Sequence, residues 1–153
     1  MSVLFSRGCE YALRGLVEMA RRPEKPFWTV QELAKLSETP APFLAKTFQI
    51  LVKHGILSST KGRRGGFSFA RPLQDISLMD VVGIIDGPTL ANECALGFDE
   101  CSEKNPCPIH FQWRDIREQI VRALSAESLL EFARESKPKR RKGTIKAPRT
   151  KNR

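Results

Sequence analysis

The sequence has no apolar run that approaches the roughly 18–20 residues needed to span a bilayer. Its first five residues are too few, and charges follow them too soon, to resemble a signal peptide. It has no Cys-x-x-Cys pair, no glycine motif for nucleotides and no carboxylate pair arranged for catalysis. These absences exclude a membrane-spanning protein, disfavour a redox enzyme and predict a cytoplasmic protein that is not an enzyme.

Acidic residues are missing from the last part of the chain, residues 136–153, which carries nine lysines and arginines. The whole net charge of +9 therefore lies in this segment, and residues 1–135 are neutral in sum. A block of like charge with prolines and few apolar residues predicts a disordered tail. Such a tail fits a basic arm for nucleic acid and a solubilising extension equally well.

The remaining 135 residues suffice for one domain with its own core. Apolar residues at helical spacing predict three helices near the N-terminus, over residues 7–21, 30–36 and 42–53. Ser6 is the expected N-cap of the first helix. Thr29 and Glu32 form a capping-box pattern at the start of the second.

Two short β-like runs follow, over residues 56–59 and 67–70, with a basic, glycine-rich tip between them. Three helices and then such a hairpin are the order of a winged helix–turn–helix, in which the third helix enters the major groove of DNA. The predicted class is mainly α with a small β-hairpin wing. The side chains expected to contact DNA are Lys46, Gln49, Lys61, Arg63 and Arg64.

The second half of the chain predicts an irregular segment between two helices. Ser77 should cap a helix over residues 78–85, and a long helix should cover residues 109–126, with a short last helix near residues 128–133. A narrow apolar stripe on the long helix predicts self-association, as in a coiled-coil seam; it comprises Trp113, Ile116, Ile120 and Leu124. The irregular segment, residues 88–108, is long enough to suggest a function.

Three of the four cysteines lie in that segment, with the spacing Cys94-x6-Cys101-x5-Cys107, and His110 follows three residues after Cys107. Thiolates are soft ligands that favour iron–sulfur clusters or zinc. The absence of a close Cys-x2–4-Cys pair favours a cluster over zinc. A fourth ligand is then required, for which His110 is the nearest candidate. Cys9 is expected to be a small buried residue on the first helix, although it or Glu10 could reach the site from either subunit.

Several segments together resemble one known family. They are Cys-Glu-Tyr-Ala-Leu-Arg at residues 9–14, the wing Lys-Gly-Arg-Arg-Gly-Gly-Phe at 61–67 running into Ala-Arg-Pro, Ile-Ser-Leu-Met-Asp-Val-Val at 76–82 and Ile-Asp-Gly at 85–87. With the three-cysteine loop and the long helix, this set looks like the IscR/NsrR family of bacterial winged-helix transcription regulators. The resemblance covers about residues 4–133.

The resemblance implies a homodimer, crossed through the long helix, that binds partly palindromic operators. It further implies a 2Fe–2S or 4Fe–4S cluster on Cys94, Cys101 and Cys107, with His110 as the fourth ligand in one branch and Glu10 of the partner in others. In the wing, Lys61 stands where the family commonly presents an arginine to the minor groove. Early in the third helix, where the family often has an acidic or polar reader, this chain has Ala45 and Lys46.

The expected organisation is a DNA-binding domain (residues 1–87), a cluster loop (88–108), a dimerisation helix with a short C-terminal helix (109–135) and the basic tail (136–153). The expected function is a repressor whose operator binding responds, through an iron–sulfur cluster, to nitric oxide, redox state or iron–sulfur status. The alternative is the same DNA-binding scaffold with a thiol/disulfide switch or a zinc site.

Overall fold

The computed structural model describes residues 4–63 and 65–135, and the basic tail and Arg64 lie outside them. The fold is mainly helical with one two-stranded antiparallel hairpin, as the sequence predicted. In chain order the elements are α1 (Arg7–Ala20), α2 (Val30–Ser37), α3 (Ala41–Lys53), β1 (Leu57–Thr60), β2 (Gly66–Phe69), a 3₁₀ turn (Leu73–Asp75), α4 (Leu78–Asp86), α5 (Thr89–Asn92), α6 (His110–Ala126) and α7 (Leu129–Glu135). Within the described ranges, no helix is long and apolar enough to cross a membrane.

The predicted caps of α1, α2 and α4 are confirmed. The Ser6 hydroxyl accepts from the Cys9 N–H, and the Asp86 carboxylate at the end of α4 accepts from the Ser6 N–H and hydroxyl. Thr29 and Glu32 form a complete capping box at the start of α2. Each cap satisfies N–H groups that have no partner inside their helix, and Asp86 additionally ties α1 to α4.

The hairpin, or wing, pairs Leu57 with Phe69 and Thr60 with Gly66, one residue away from the predicted strand bounds. Its base is joined to the segment before α2, because Trp28 and Phe67 exchange two backbone hydrogen bonds of 2.9 and 2.8 Å. Gly66 is required at this contact, since a Cβ there would lie 2.4 Å from the Trp28 carbonyl oxygen. The main-chain bonds therefore fix the direction of the wing relative to α2 and α3.

One main core joins α1, α2, α3, the wing and α7. Phe48 of α3 packs edge-on against Phe67 of the wing, with ring centroids 5.2 Å apart. Leu129 of α7 is fully buried in the same core. A two-bond bridge fastens α7 there, with the Leu129 N–H donating to the Ile76 carbonyl and the Leu78 N–H to the Glu127 carbonyl. The short last helix is thus part of the same packed body as the DNA-binding helices.

The segment predicted to be irregular, residues 88–108, contains one short helix, α5. Its first turn forms because the N–H groups of Ala91 and Asn92 donate to the Pro88 carbonyl. Leu90 of α5 is buried with Cys9 and Val82 in a second, smaller cluster. Burial of Leu90 stabilises this short helix through a tertiary contact, which the local sequence pattern did not predict.

The long helix α6 divides into two halves. Ile120 and Leu124, the C-terminal part of the predicted stripe, pack against the smaller cluster. Ile116, one turn earlier, is 50% exposed, and Phe111 is also exposed. Among the described residues, none of the 17 in α6 is buried. The N-terminal half therefore presents apolar side chains that the described part of the chain leaves exposed.

Candidate cysteine site and nucleic-acid interface

The three loop cysteines converge. Their sulfur atoms all lie within 4.8 Å of one another, and they are partly buried. The sulfurs of Cys94 and Cys107 are 3.7 Å apart, and the Cys101 sulfur lies 3.1 Å from His110 Nδ1. A tetrahedral metal centre with bonds of about 2.3 Å places two sulfur ligands roughly 3.8 Å apart. The donors are therefore close enough for pairs of them to share a metal ion.

Tight turns bring the cysteines together although they are distant in sequence. The Gly97 N–H donates to the Cys94 carbonyl, the Cys101 N–H to the Phe98 carbonyl and the His110 N–H to the Cys107 carbonyl. Gly97 has φ +73°, a left-handed conformation that a residue without a Cβ adopts most easily. The last of these turns begins α6, so the histidine that starts the helix is carried to the cysteine group.

The environment of the thiols differs along the loop. Backbone N–H groups of Phe98 and Leu96 lower the pKa of Cys94 to about 7. Removal from water raises the pKa of Cys107. Since metals and oxidants react with the thiolate, the surroundings of Cys94 favour the reactive form more than those of Cys107 do.

A cavity of about 210 Å³ borders the cysteine group, and one face of α6 forms its wall. The Trp113 Nε1–H and the Arg117 guanidinium both donate to the carbonyl oxygen of Glu93, at 2.9 and 3.1 Å. Arg114 pairs with the Glu103 carboxylate at 2.9 Å. Glu93 precedes Cys94 and Glu103 lies between Cys101 and Cys107, so α6 holds the loop at two points.

The two candidates for a fourth ligand occupy different places. His110 adjoins the cysteine group through Cys101. Glu10 lies on α1, where its carboxylate is 4.0 Å from the Arg14 guanidinium. Among the described residues that line the cavity, His110 is present and Glu10 is not. Within one chain, the structure thus brings His110 and not Glu10 to the cysteines.

Cys9 is separate from this group. All four cysteines are free thiols, and Cys9 is fully buried on α1, as the sequence predicted. Burial, together with the nearby Asp86 carboxylate, raises the pKa of Cys9 to about 12. A thiol that remains protonated and shielded is a packing residue rather than a ligand.

The residues predicted to contact DNA are exposed where the structure describes them. Lys46 and Gln49 lie on the solvent side of α3, opposite the buried Leu44, Phe48 and Leu51. Lys61 and Arg63 are exposed at the tip of the wing, where Gly62 adopts φ +105°. Arg64 lies outside the described residues. The helix and the wing thus carry cations and an amide, the groups that contact phosphates and base edges.

Sequence reasoning missed the side chains of α6 that hold the loop. Trp113 was assigned to an apolar stripe, and Arg114 and Arg117 were not singled out. Their spacing from His110, at three, four and seven residues, places all four on one face of the helix. That spacing could be recognised in the sequence. The carbonyl groups that these side chains contact could not, because their positions depend on the turns of the loop.

Comparisons with known proteins agree with this architecture. The profile of the Rrf2 family, described as iron-dependent transcriptional regulators, matches residues 5–135. A protein of Aquifex aeolicus (strain VF5), whose name assigns it to the HTH-type transcriptional regulators, is 36% identical over 120 residues, covering 77% of this chain and 83% of the relative. The HTH-type transcriptional regulator IscR of Xenorhabdus nematophila is 27% identical over 131 residues, covering 86% and 79%.

Solved structures resemble the fold. CymR (YrzC), the global cysteine regulator of B. subtilis, superimposes with a TM-score of 0.73 at 19% identity, covering 89% of this chain and all of that one. IscR of T. potens superimposes with a TM-score of 0.65 at 22% identity, covering 88% of each chain. At these identities the likeness concerns the arrangement of helices and wing.

Proposed function

Since the chain belongs to the Rrf2 family of helix–turn–helix transcriptional regulators, which are not enzymes, we propose that an iron–sulfur cluster on its cysteine loop controls how it binds operator DNA. The observation that carries the proposal is the convergence of Cys94, Cys101 and Cys107 within 4.8 Å, with His110 beside Cys101. Bound there, a cluster would supply reversible redox chemistry and reactivity toward nitric oxide or oxygen.

The donor set fits a 2Fe–2S cluster. The four donors fall into two pairs, Cys94 with Cys107 and Cys101 with His110, and each iron of such a cluster takes two protein ligands. Histidine in place of cysteine is an established substitution in 2Fe–2S centres. We therefore assign His110, rather than Glu10, as the fourth ligand.

The route from loop to DNA runs through α6. The N-terminal half of α6 holds the loop through the side chains of Trp113, Arg114 and Arg117. Its C-terminal half packs through Ile120 and Leu124 against the smaller group of buried apolar residues, which contains Cys9 and Val82. A change in the loop would therefore shift α6 against α1 and α4. Coupling free energies between such sites are typically about 1–3 kcal/mol, which corresponds to roughly 5–150-fold in affinity.

The proposed active form is a homodimer on a partly palindromic operator. The uncovered apolar side chains of α6, notably Phe111 and Ile116, support an interface between two copies. Two α3 helices, with Lys46 and Gln49 toward the bases, would then enter successive major grooves about one helical turn apart. Lys61 and Arg63 of each wing would contact the flanking backbone or minor groove, as Arg64 would by its place in the sequence. On this scheme the units are the DNA reader (1–87), the loop (88–108) and the dimer helix with α7 (109–135).

The test is the metal and sulfide content of the full chain purified without oxygen. The wild type should carry iron and acid-labile sulfide in equal amounts, Cys101→Ala should lose both, and the matched control Cys9→Ala should retain them. Binding to a duplex selected from a random pool should change severalfold on removal of iron from the wild type and not in Cys101→Ala. A colourless, metal-free wild type with unchanged DNA binding in all redox conditions would refute the proposal.

A second candidate rests on the 3.7 Å separation of the Cys94 and Cys107 sulfurs. Two thiols so close could form a disulfide on oxidation, or hold zinc with Cys101 and His110. The same preparation separates these cases, since zinc without sulfide indicates a structural metal. A Cys94–Cys107 linkage in non-reducing peptide maps after treatment with peroxide, together with altered DNA affinity, would indicate a thiol switch.

A further inference from the structure

The most exposed large apolar side chain of the described residues is Phe43, at 61%, in the first turn of α3. It is not loosely placed, because its ring leans on Tyr11 of α1 at a centroid distance of 6.4 Å and an interplanar angle of 56°. Tyr11 is itself partly buried against the main core. The protein thus holds an aromatic ring in water at a defined position, and the exposed residues that follow it along the helix are Lys46, Gln49 and Lys53.

Phe43 continues the outward face of the helix proposed to read DNA. It lies three residues before Lys46, so these two side chains are neighbours on the helix surface, and Phe43, Lys46 and Gln49 are all exposed. It is also at the N-terminal end, and the N-terminal residues of a recognition helix are the ones that contact base edges. The apolar ring therefore stands where the floor of the major groove is expected.

Thymine carries the one apolar group on the floor of that groove, its 5-methyl group, and phenylalanine is among the side chains that contact it. From the position of the ring we propose that Phe43 is a specificity-determining residue that packs on a thymine methyl group in each half-site. This rests on the proposed insertion of α3 into the major groove, and it adds a base preference that Lys46 and Gln49 do not provide.

The experiment replaces single thymines by deoxyuridine, which removes only the methyl group. The full chain first selects duplexes from a random pool, and every thymine of the selected site is then replaced in turn. Burial of one methyl group corresponds to about a fourfold change in affinity. The wild type should lose about that factor at one thymine per half-site, while Phe43→Ala binds the thymine duplex more weakly and loses nothing further on the replacement.

Phe43→Leu, which keeps an apolar surface, should retain part of the discrimination, and circular dichroism should show all variants folded. Equal sensitivity of the wild type and Phe43→Ala at every thymine would overturn the inference. So would insensitivity of the wild type throughout, or an altered protein association with unchanged DNA binding. If Lys46→Ala and Gln49→Ala also bind DNA as the wild type does, the placement of α3 itself is wrong; if only the thymine effect is missing, that placement stands.

Discussion

The contrast between Cys9 and Cys94 shows how a residue's surroundings decide its chemistry. Cys9 is enclosed by apolar side chains beside Asp86, and its pKa is raised to about 12. Cys94 lies at a turn with backbone N–H groups directed toward its sulfur, and its pKa is lowered to about 7. The same side chain is thus a packing unit in one place and a ready thiolate in the other.

This contrast predicts selective alkylation of the metal-free chain. At pH 7.5, iodoacetamide should modify Cys94 readily and leave Cys9 unmodified until the protein unfolds, because the thiolate is the attacking form. The rate at Cys94 should fall as the pH drops below about 7, where its thiol becomes protonated. Mass spectrometry of peptides from native and denatured samples measures both. Equal labelling of Cys9 and Cys94 in the native protein would contradict the assignment.

At the scale of elements, α6 links the loop to the helical core. Trp113 holds the carbonyl of Glu93 one residue before Cys94, and Leu124 packs near Val82 of α4 three turns later. The helix therefore contacts both the proposed sensor and the body that carries α3. Through these side chains of α6, gain or loss of the proposed iron–sulfur cluster would be transmitted from the loop to the DNA-binding helices.

Trp113→Phe tests this link, because it keeps the aromatic ring but removes the N–H that donates to Glu93. Losing one neutral hydrogen bond costs about 1 kcal/mol, so bound iron should be released to a chelator roughly fivefold faster. The control is Arg122→Gln, whose side chain bonds within α6 and not to the loop. Release monitored by the absorbance of the iron–chelator complex gives the rate. An unchanged rate in Trp113→Phe would show that the loop is held by other contacts.

Local signals predicted most of the elements but not the contacts between distant ones. The caps at Ser6 and Thr29 depend on residues within a few positions, and they are confirmed. The α5 helix escaped prediction because it is stabilised by burial of Leu90 against α1 and α4. The cysteines could be grouped from their spacing, whereas the tie from Trp113 to Glu93 spans 20 residues and depends on the folded loop.

At the scale of the whole molecule, the N-terminal half of α6 carries apolar side chains that the described residues leave exposed to solvent. Ile116 is half exposed although the residues four and eight positions later are packed. A crossed pair of helices needs an apolar stripe that is exposed at its start, where the partner helix would pack, and packed against its own chain at its end. The dimer proposed above would bury the first part of this stripe.

Ile116→Asp should therefore convert the dimer into a folded monomer, because a charge replaces an apolar contact at the interface. Light scattering after size exclusion gives the mass, and the helical signal in circular dichroism should remain. The matched control is Leu36→Asp, which places the same charge at an exposed leucine of α2 and should remain dimeric. A dimeric Ile116→Asp would locate the interface elsewhere.

The anchoring of the wing to Trp28 separates the residues that fix the fold from those that can vary during evolution. Its base is fixed by main-chain bonds, which almost any amino acid can form, and by the small residue at Gly66. The exposed positions at the tip, such as Lys61 and Arg63, support none of the core. Mutations there would leave folding intact, so selection can retune which promoters a lineage recognises while the scaffold is inherited unchanged.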